Sequence, residues 1–347
     1  MQPGRTLFPY AAVLLCLPAV LVFVSACDPQ QTPTADAELV LYCSVDEGFA
    51  NGVIRAFEER TGGHVSARFD TEAGKTTGLV NRIISEAASG RPRADVFWSS
   101  EPFNTILLAR RGLLQPYDSP AAADIPMRYK DAEHRWTACA ARARVLAYDP
   151  ARTPAAALPP RWEALAKPEY AGRLALANPL FGTTRGHVAA MFALWGPERA
   201  RAFLIGLRDG GASIADGNSA TVRAVIAGHV DFAATDTDDV WVAQKSGASL
   251  DLLYPDMGDG GTLLIPCSVA ILKGSDNVSA SRKLVDYLVS AEVERALARS
   301  DSRNIPVRTA LREELGIDCP PESKVEFDAV ADAMDEATRA VREILIR

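Results

Sequence analysis

Apolar and polar positions follow one another along this chain as a succession of short apolar runs and helical faces. Leu39 to Cys43 is a continuous apolar run of the kind that forms a buried strand. Phe49, Val53, Ile54 and Phe57 then recur at helical spacing, and Thr61-Gly62-Gly63 ends the stretch as glycine does beyond a helix C-terminus. Val65, Ala67 and Phe69 alternate as in a half-buried strand, and Leu79, Val80, Ile83, Ile84 and Ala87 make a second helical face. Ala94 to Trp98 is another apolar run, and Pro102 stands where a helix can begin. Strand and helix in alternation predict a mainly parallel sheet covered by helices.

A second series follows the first. Trp136 to Tyr148 is long, apolar and Ala-rich, long enough to cross between domains, and Pro-rich residues 150–160 form a loop. The pattern then predicts strand 173–177, helices 185–195 and 198–208, strand 212–215, helix 219–227, strand 230–235 and helix 239–246. Leu263 to Leu272 is a second long apolar strand that would cross back, and helices are expected over 278–289, 291–299 and near 325–346. The expected fold is α/β and two-lobed, with hinge strands between the lobes. Residues 38–141 plus 267–310 form lobe 1, residues 145–264 form lobe 2, and 311–347 is a C-terminal helical segment.

The N-terminus decides the compartment. Arg5 is the sole charge before Asp28, and Ala11 to Val24 is apolar, interrupted by Pro18. This reads as a signal peptide over residues 1–26, too short for a membrane span. Val24-Ser25-Ala26-Cys27 matches a lipoprotein cleavage site, with Cys27 as the lipidated residue and 27–37, polar and rich in Pro and Thr, as a tether. An uncleaved anchor helix is the competing explanation, but the small residues and Cys27 fall where the apolar run stops. The protein is therefore expected in the periplasm or at the cell surface, touching the membrane by its lipid anchor only.

Composition removes some function classes. The formal net charge is −7 and no basic stripe occurs, so nucleic acid is not an expected partner. Cys43, Cys139, Cys267 and Cys319 allow three disulfide pairings, among which the sequence does not choose, and buried thiols are the alternative. His64, His134, His187 and His229 lack any paired metal spacing. Gly74-Lys75-Thr76-Thr77 looks like the tail of a phosphate-binding loop, but Phe69 stands where that motif requires glycine.

Several stretches taken in order resemble one family. They are Leu41-Tyr42-Cys43-Ser44, Phe57-Glu58-Glu59-Arg60-Thr61-Gly62, Ala94-Asp95-Val96-Phe97-Trp98, Arg142-Ala143-Arg144-Val145-Leu146-Ala147-Tyr148, Gly217-Asn218-Ser219-Ala220 and Ser302-Arg303-Asn304-Ile305-Pro306-Val307. Across residues 38–310 the chain resembles the ferric-ion-binding branch of bacterial extracellular solute-binding proteins. The resemblance implies a Venus-flytrap fold closing over one ligand. It also implies delivery to an ABC permease and ATPase in the inner membrane, with the binding protein itself expected to be a monomer. It implies bound Fe³⁺ as transported ligand rather than any cofactor. In that branch adjacent tyrosines hold the iron, and here those positions carry Asp238 and Asp239. The branch's first-loop ligand falls near Asp46 and its carboxylate ligand near Ser100 or Glu101.

Ligands of open α/β sheets bind beyond the carboxyl ends of strands. The candidates there are Ser44, Asp46, Ser100, Glu101, Thr183, Thr184, Asn218, Ser219, Asp236 and Thr237, with Arg142 and Arg144 on one face of the long strand. Asp46, Glu101, Asp238 and Asp239 together make a hard-oxygen set suited to a hard metal. Helix capping is the competing explanation for each aspartate. Adjacent helical residues also point about 100° apart, so Asp238 and Asp239 face one ligand only if the backbone there is not helical. Thr183-Thr184 and Asn218-Ser219 precede helical stretches, where an anion would bind, and the arginines would clamp it or else join the lobes. The alternatives to a metal are thus a phosphonate, a sugar phosphate or another small organic anion. Trp98 and Trp241 could line the cleft, with packing as the default. A secreted hydrolase is disfavoured by the lack of any nucleophile motif, and a ligand sensor is the remaining class.

Overall fold

The computed structural model describes residues 38–70, 74 and 76–346. The signal peptide and the whole tether, Cys27 included, lie outside the described residues. The first apolar series forms half of a ten-stranded sheet. Strands β1 (Leu39–Cys43), β2 (Val65–Phe69) and β3 (Val96–Ser99) are parallel, with β1 in the middle, and helices α1 (Glu47–Thr61) and α2 (Thr77–Ala88) make the crossovers. Helix α3 (Phe103–Arg110) and the short β4 (Leu114–Gln115) follow.

Strand β5 (Thr137–Tyr148) joins the two halves. The second half contains β6 (Leu174–Ala177), α4 (Gly182–Trp195), α5 (Pro197–Asp209), β7 (Ser213–Ala215), α6 (Asn218–Ile226), β8 (Phe232–Asp236), α7 (Thr237–Lys245) and β9 (Asp251–Leu253). Here β6 runs parallel to both β7 and β8. Strand β10 (Leu264–Leu272) returns to the first half, and α8 (Val278–Leu288), α9 (Ala291–Arg299), α10 (Thr309–Leu315) and α11 (Phe327–Ile344) complete the chain. Strand β5 pairs antiparallel with β10 up to Ala143 and with β8 from Arg144 onward, so one strand belongs to both lobes. Every residue of β5 and β10 is buried, which is why both read as long, mainly apolar runs, broken in β5 by residues such as Arg142 and Arg144.

The hinge carries a bulge. Register shifts between Pro266 and Cys267, where proline has no N–H to give the ladder. Opposite it, Ala140 takes φ +51°, a left-handed conformation that costs a non-glycine residue energy. Its N–H donates to the fully buried Glu294 carboxylate (2.9 Å), and Ala141 exchanges backbone hydrogen bonds with Ile305 instead. Glu294 also accepts from the Val307 N–H (2.8 Å) and from the buried Arg308 guanidinium (2.9 Å). One carboxylate thereby fastens the C-terminal stretch to the hinge.

Helix α11 lies against α4 and α5 of the second half and α3 of the first. Its apolar face, from Phe327 through Val330, Met334, Val341 and Ile344, is buried, with Phe327 edge-on to Phe103 of α3. The predicted elements recur with boundaries shifted by a few residues. Two shifts matter: α4 begins at Gly182 and α7 at Thr237, so Thr183, Thr184 and Asp238 lie inside first turns rather than ahead of them, and Asp239 lies deeper in its first turn than expected. Strands β4 and β9 are too short to show a period, and they escaped the sequence pattern for that reason.

Candidate functional site

The carboxyl end of β8 feeds straight into α7, and three aspartates stand at this junction. Asp236, Asp238 and Asp239 bring one carboxylate oxygen each to within 4.8 Å of the others. None of them caps α7 with its side chain; Asp236 occupies the N-cap position but turns its carboxylate elsewhere. Its Oδ1 accepts from Arg144 Nη1 (2.7 Å), and its Oδ2 accepts from Thr183 Oγ1 (2.6 Å) and Asn218 Nδ2 (2.8 Å). Asp238 Oδ2 accepts from Arg142 Nη1 (2.9 Å), while its buried Oδ1 has no partner among the described residues. Asp239 accepts from Ser219 Oγ (3.2 Å) and Thr235 Oγ1 (2.9 Å). Asp238 and Asp239 are both helical, so the expectation that only non-helical backbone lets them face one ligand does not hold: their carboxylates meet different neighbours, yet one oxygen of each still comes within 4.8 Å of the other. Thr237 accepts from the Ala143 N–H and ties α7 to the hinge strand.

The first lobe faces this junction with hydroxyls. Thr76 Oγ1 lies 3.1 Å from both Ser44 Oγ and Ser100 Oγ, and the Ser100 N–H donates to Ser44 Oγ. The Ser100 carbonyl accepts from Arg142 Nη2 (2.7 Å), so Arg142 spans from the first lobe to Asp238 of the second. Asp46 Oδ2 lies 4.0 Å from Arg142 Nη1. Between these groups sits a cavity of about 40 Å³, lined by Asp46, Ser100 and Arg142 and by the first turns of α4 and α6. A space of that size holds about three waters.

Charge is finely divided here. Burial pushes the Asp236 carboxyl up, but the Arg144 and Arg142 charges and the Thr183 hydrogen bond outweigh it, leaving Asp236 below the usual carboxylate range. Burial also raises Asp238; Arg142 opposes the rise without cancelling it, and the Asp236 and Asp46 charges add to it. His187 sits beside Arg144, and burial followed by that charge drives it well below its ordinary value, so it is a neutral imidazole.

The structure brings together Ser44, Asp46, Ser100, Arg142, Arg144, Thr183, Asn218, Ser219, Asp236, Asp238 and Asp239. Thr184 joins through Asn218 Oδ1 at 3.4 Å. It does not bring in Glu101. That carboxylate is fully buried and accepts from the N–H groups of Phe103 and Asn104 and from Asn104 Nδ2, capping α3. Trp98 is core, and Trp241 packs under the Arg303 guanidinium. The arginines form no joint clamp, since each already bonds a carboxylate of the β8–α7 junction. Sequence reasoning missed Thr76, Thr235, Asn178 and Asp216. Asn178 and Asp216 stand just past the ends of β6 and β7, where the strand-end rule could have found them. Thr76 was hidden in a stretch that looked like a chance phosphate loop.

Comparison with known proteins agrees with this architecture. The family described as bacterial extracellular solute-binding protein matches residues 92–327. A protein named Fe(3+)-binding periplasmic protein from Serratia marcescens is 31% identical over 201 residues, covering 58% of this chain and 57% of that one. The major ferric iron-binding protein of Neisseria meningitidis serogroup A is 30% identical over 273 residues, 75% of this chain and 78% of its own length. The crystal structure of iron-bound HitA from Pseudomonas aeruginosa superposes with a TM-score of 0.75 at 27% identity, covering 89% of this chain and 99% of that one. With a hinge strand shared by two lobes and the polar site between them, the chain belongs to the bacterial extracellular solute-binding proteins.

Proposed function

We propose that this protein is the binding subunit of an ABC importer and that its cargo is ferric iron or a related hard metal. The observation that carries the reading is the Asp236–Asp238–Asp239 cluster, with the buried Asp238 Oδ1 lacking a partner among the described residues. Hard cations select carboxylate oxygen. Asp238 would bind through Oδ1, Asp239 by exchanging its hydroxyl donors, and Asp46 from the facing lobe. Asp236 stays held by Arg144. Counting the described residues only, these four carboxylates outnumber the Arg142 and Arg144 guanidiniums by two. A trivalent ion would then leave one positive charge, which a small anion at the first turns of α4 and α6 would neutralise. The relatives named as ferric iron-binding proteins support the choice of metal. On this reading Cys27 anchors the protein by lipid outside the cytoplasmic membrane. The monomer presents its closed lobes to a permease and ATPase, without chemistry of its own.

Thermal unfolding of the metal-stripped protein tests the reading. A chelated ferric salt at about a hundred times its dissociation constant is expected to add about 2.7 kcal/mol of stability. An unchanged transition at saturating ferric salt would sink the metal reading.

Acid should release the metal. The Asp238 carboxyl must lose its proton to bind, and its proton affinity is raised. Ferric affinity is therefore expected to fall as pH drops through a window lying above the ordinary carboxylate range, by about tenfold per pH unit below it. Competition titrations at stepped pH would show this, and a flat profile down to pH about 4 would remove Asp238 from the ligand set.

One observation favours a second reading, a phosphonate, sugar phosphate or other small organic anion. Arg142 lines the cavity, and its buried Nε has no acceptor among the described residues. The α4 and α6 first turns on the opposite wall suit an oxyanion head. A shift with aminophosphonates or sugar phosphates but none with ferric salt would replace the metal by this class.

A further inference from the structure

A second charged cavity lies where α2 and α3 of the first lobe meet the loop before α4 and the C-terminal helix α11. It has a volume of about 370 Å³ and is lined by Arg111, Arg185, Arg339 and Arg342, with Asp335 the one carboxylate on its wall. Asp335, Thr338, Arg339 and Arg342 occupy one face of α11, following its three- and four-residue spacing. Arg185 is held in place: its Nε donates to Thr338 Oγ1 (3.0 Å) and its Nη1 to Asn104 Oδ1 (3.2 Å). Its Nη2 lies 3.9 Å from Asp335 Oδ1, on a side chain that is only 12% exposed. Among the described residues, no carboxylate lies within 4.0 Å of Arg111, Arg339 or Arg342. The remaining wall is mixed: Thr77, Asn81 and Asn104 are polar, and Val80, Leu107 and Phe181 form an apolar part.

We propose that this cavity binds a small anion carrying at least two negative charges and an apolar body, at a site distinct from the cleft cluster. Guanidinium groups with fixed geometry bind carboxylate and phosphate oxygens through paired hydrogen bonds. Arg185, positioned by Thr338 and Asn104, provides the fixed end of such a site, and Arg111, Arg339 and Arg342 provide exposed cations around it. Burial pulls the Arg185 guanidinium below its ordinary value against the opposing charges of Glu101 and Asp335, and the Arg342 charge adds to the fall. A bound anion counters the fall by its opposite charge. Phe181 lies on the walls of both this cavity and the cleft, and the cavity draws its walls from both lobes. An occupant therefore holds the lobes together.

The test is calorimetric titration of the purified protein with trimesate, a flat tricarboxylate, and in parallel with inorganic phosphate. One-to-one binding is expected, tighter for trimesate because its ring meets the apolar wall, and weaker as salt is raised. Arg339→Gln combined with Arg342→Gln, both exposed positions, is expected to weaken trimesate by about tenfold or more, while Asp238→Asn leaves it unchanged. No saturable binding of either probe up to about 10 mM overturns the proposal, as does binding that survives the double arginine substitution. Trimesate binding lost in Asp238→Asn but kept in the arginine variant would place the anion in the cleft and overturn it equally. None of these outcomes depends on whether the cleft takes iron.

Discussion

Asp238→Asn is expected to lower ferric affinity by at least about a hundredfold, on the order of 2.7 kcal/mol. The amide matches the carboxylate in shape, and its oxygen can still accept from Arg142, so the local packing survives. What disappears is the negative charge and with it the hard oxygen at Oδ1, the one buried carboxylate oxygen of the cluster that has no partner among the described residues. Asp239→Asn is expected to have a smaller effect, because Asp239 is half-buried and its oxygens are already engaged by Ser219 and Thr235. Thermal unfolding without metal separates folding from binding. A variant that melts normally yet gains no stability from ferric salt locates the metal at Asp238. Undiminished stabilisation in Asp238→Asn would mean that the metal is held without Asp238, and the carboxylate ligand set proposed for the cleft would fall.

Glu294→Ala is expected to destabilise the protein by about 3 kcal/mol or somewhat more. The substitution orphans two buried backbone donors, Ala140 N–H and Val307 N–H, and takes the carboxylate from the buried Arg308. Losses of this kind exceed the net worth of the bonds, because the remaining groups stay desolvated without partners. Arg308 retains Asp124, the Val289 carbonyl and the Ala121 carbonyl, which keeps the loss near the lower end of the range for a broken buried pair. Glu294→Gln is expected to recover part of it, since both N–H groups donate to Oε1, which the amide keeps, while its NH2 replaces the oxygen that accepts from Arg308. Denaturant titration measures both, and an Ala variant within about 0.5 kcal/mol of the parent would show that the bulge at Ala140 holds itself. Because β5 serves both lobes, the same variant should loosen lobe closure and weaken cleft binding.

Most of the fold was legible because its signals are local or periodic. Helical spacing in α1 and α2 and the alternating Val65, Ala67 and Phe69 need only a few neighbouring residues to read. Strands β5 and β10 were legible as crossings because an apolar run without alternation implies burial on both faces. At the candidate site, the strand-end rule pointed to Ser44, Asp46, Ser100, Asn218 and the β8–α7 aspartates, which the structure brings together, because parallel strands of one sheet end on the same side. Glu101 was also a local case: a carboxylate ahead of Pro102 and the N–H groups of Phe103 and Asn104 is a cap, and the family resemblance drew attention away from it.

Sequence alone determined the alternation of strands and helices, the two crossing strands and the polar residues that gather where strands end, since each follows from residue type and short-range spacing. Tertiary structure alone decided which carboxylate meets which cation or backbone N–H. Arg142 and Asp238 are 96 positions apart, Arg144 and Asp236 are 92 apart, and Ala140 and Glu294 are 154 apart. Each of these pairs acts across a few ångströms set by the packing of β5 against β8 and α9, and electrostatic strength in a dry interior depends on that distance and on burial, neither of which the spacing of residues along a chain encodes.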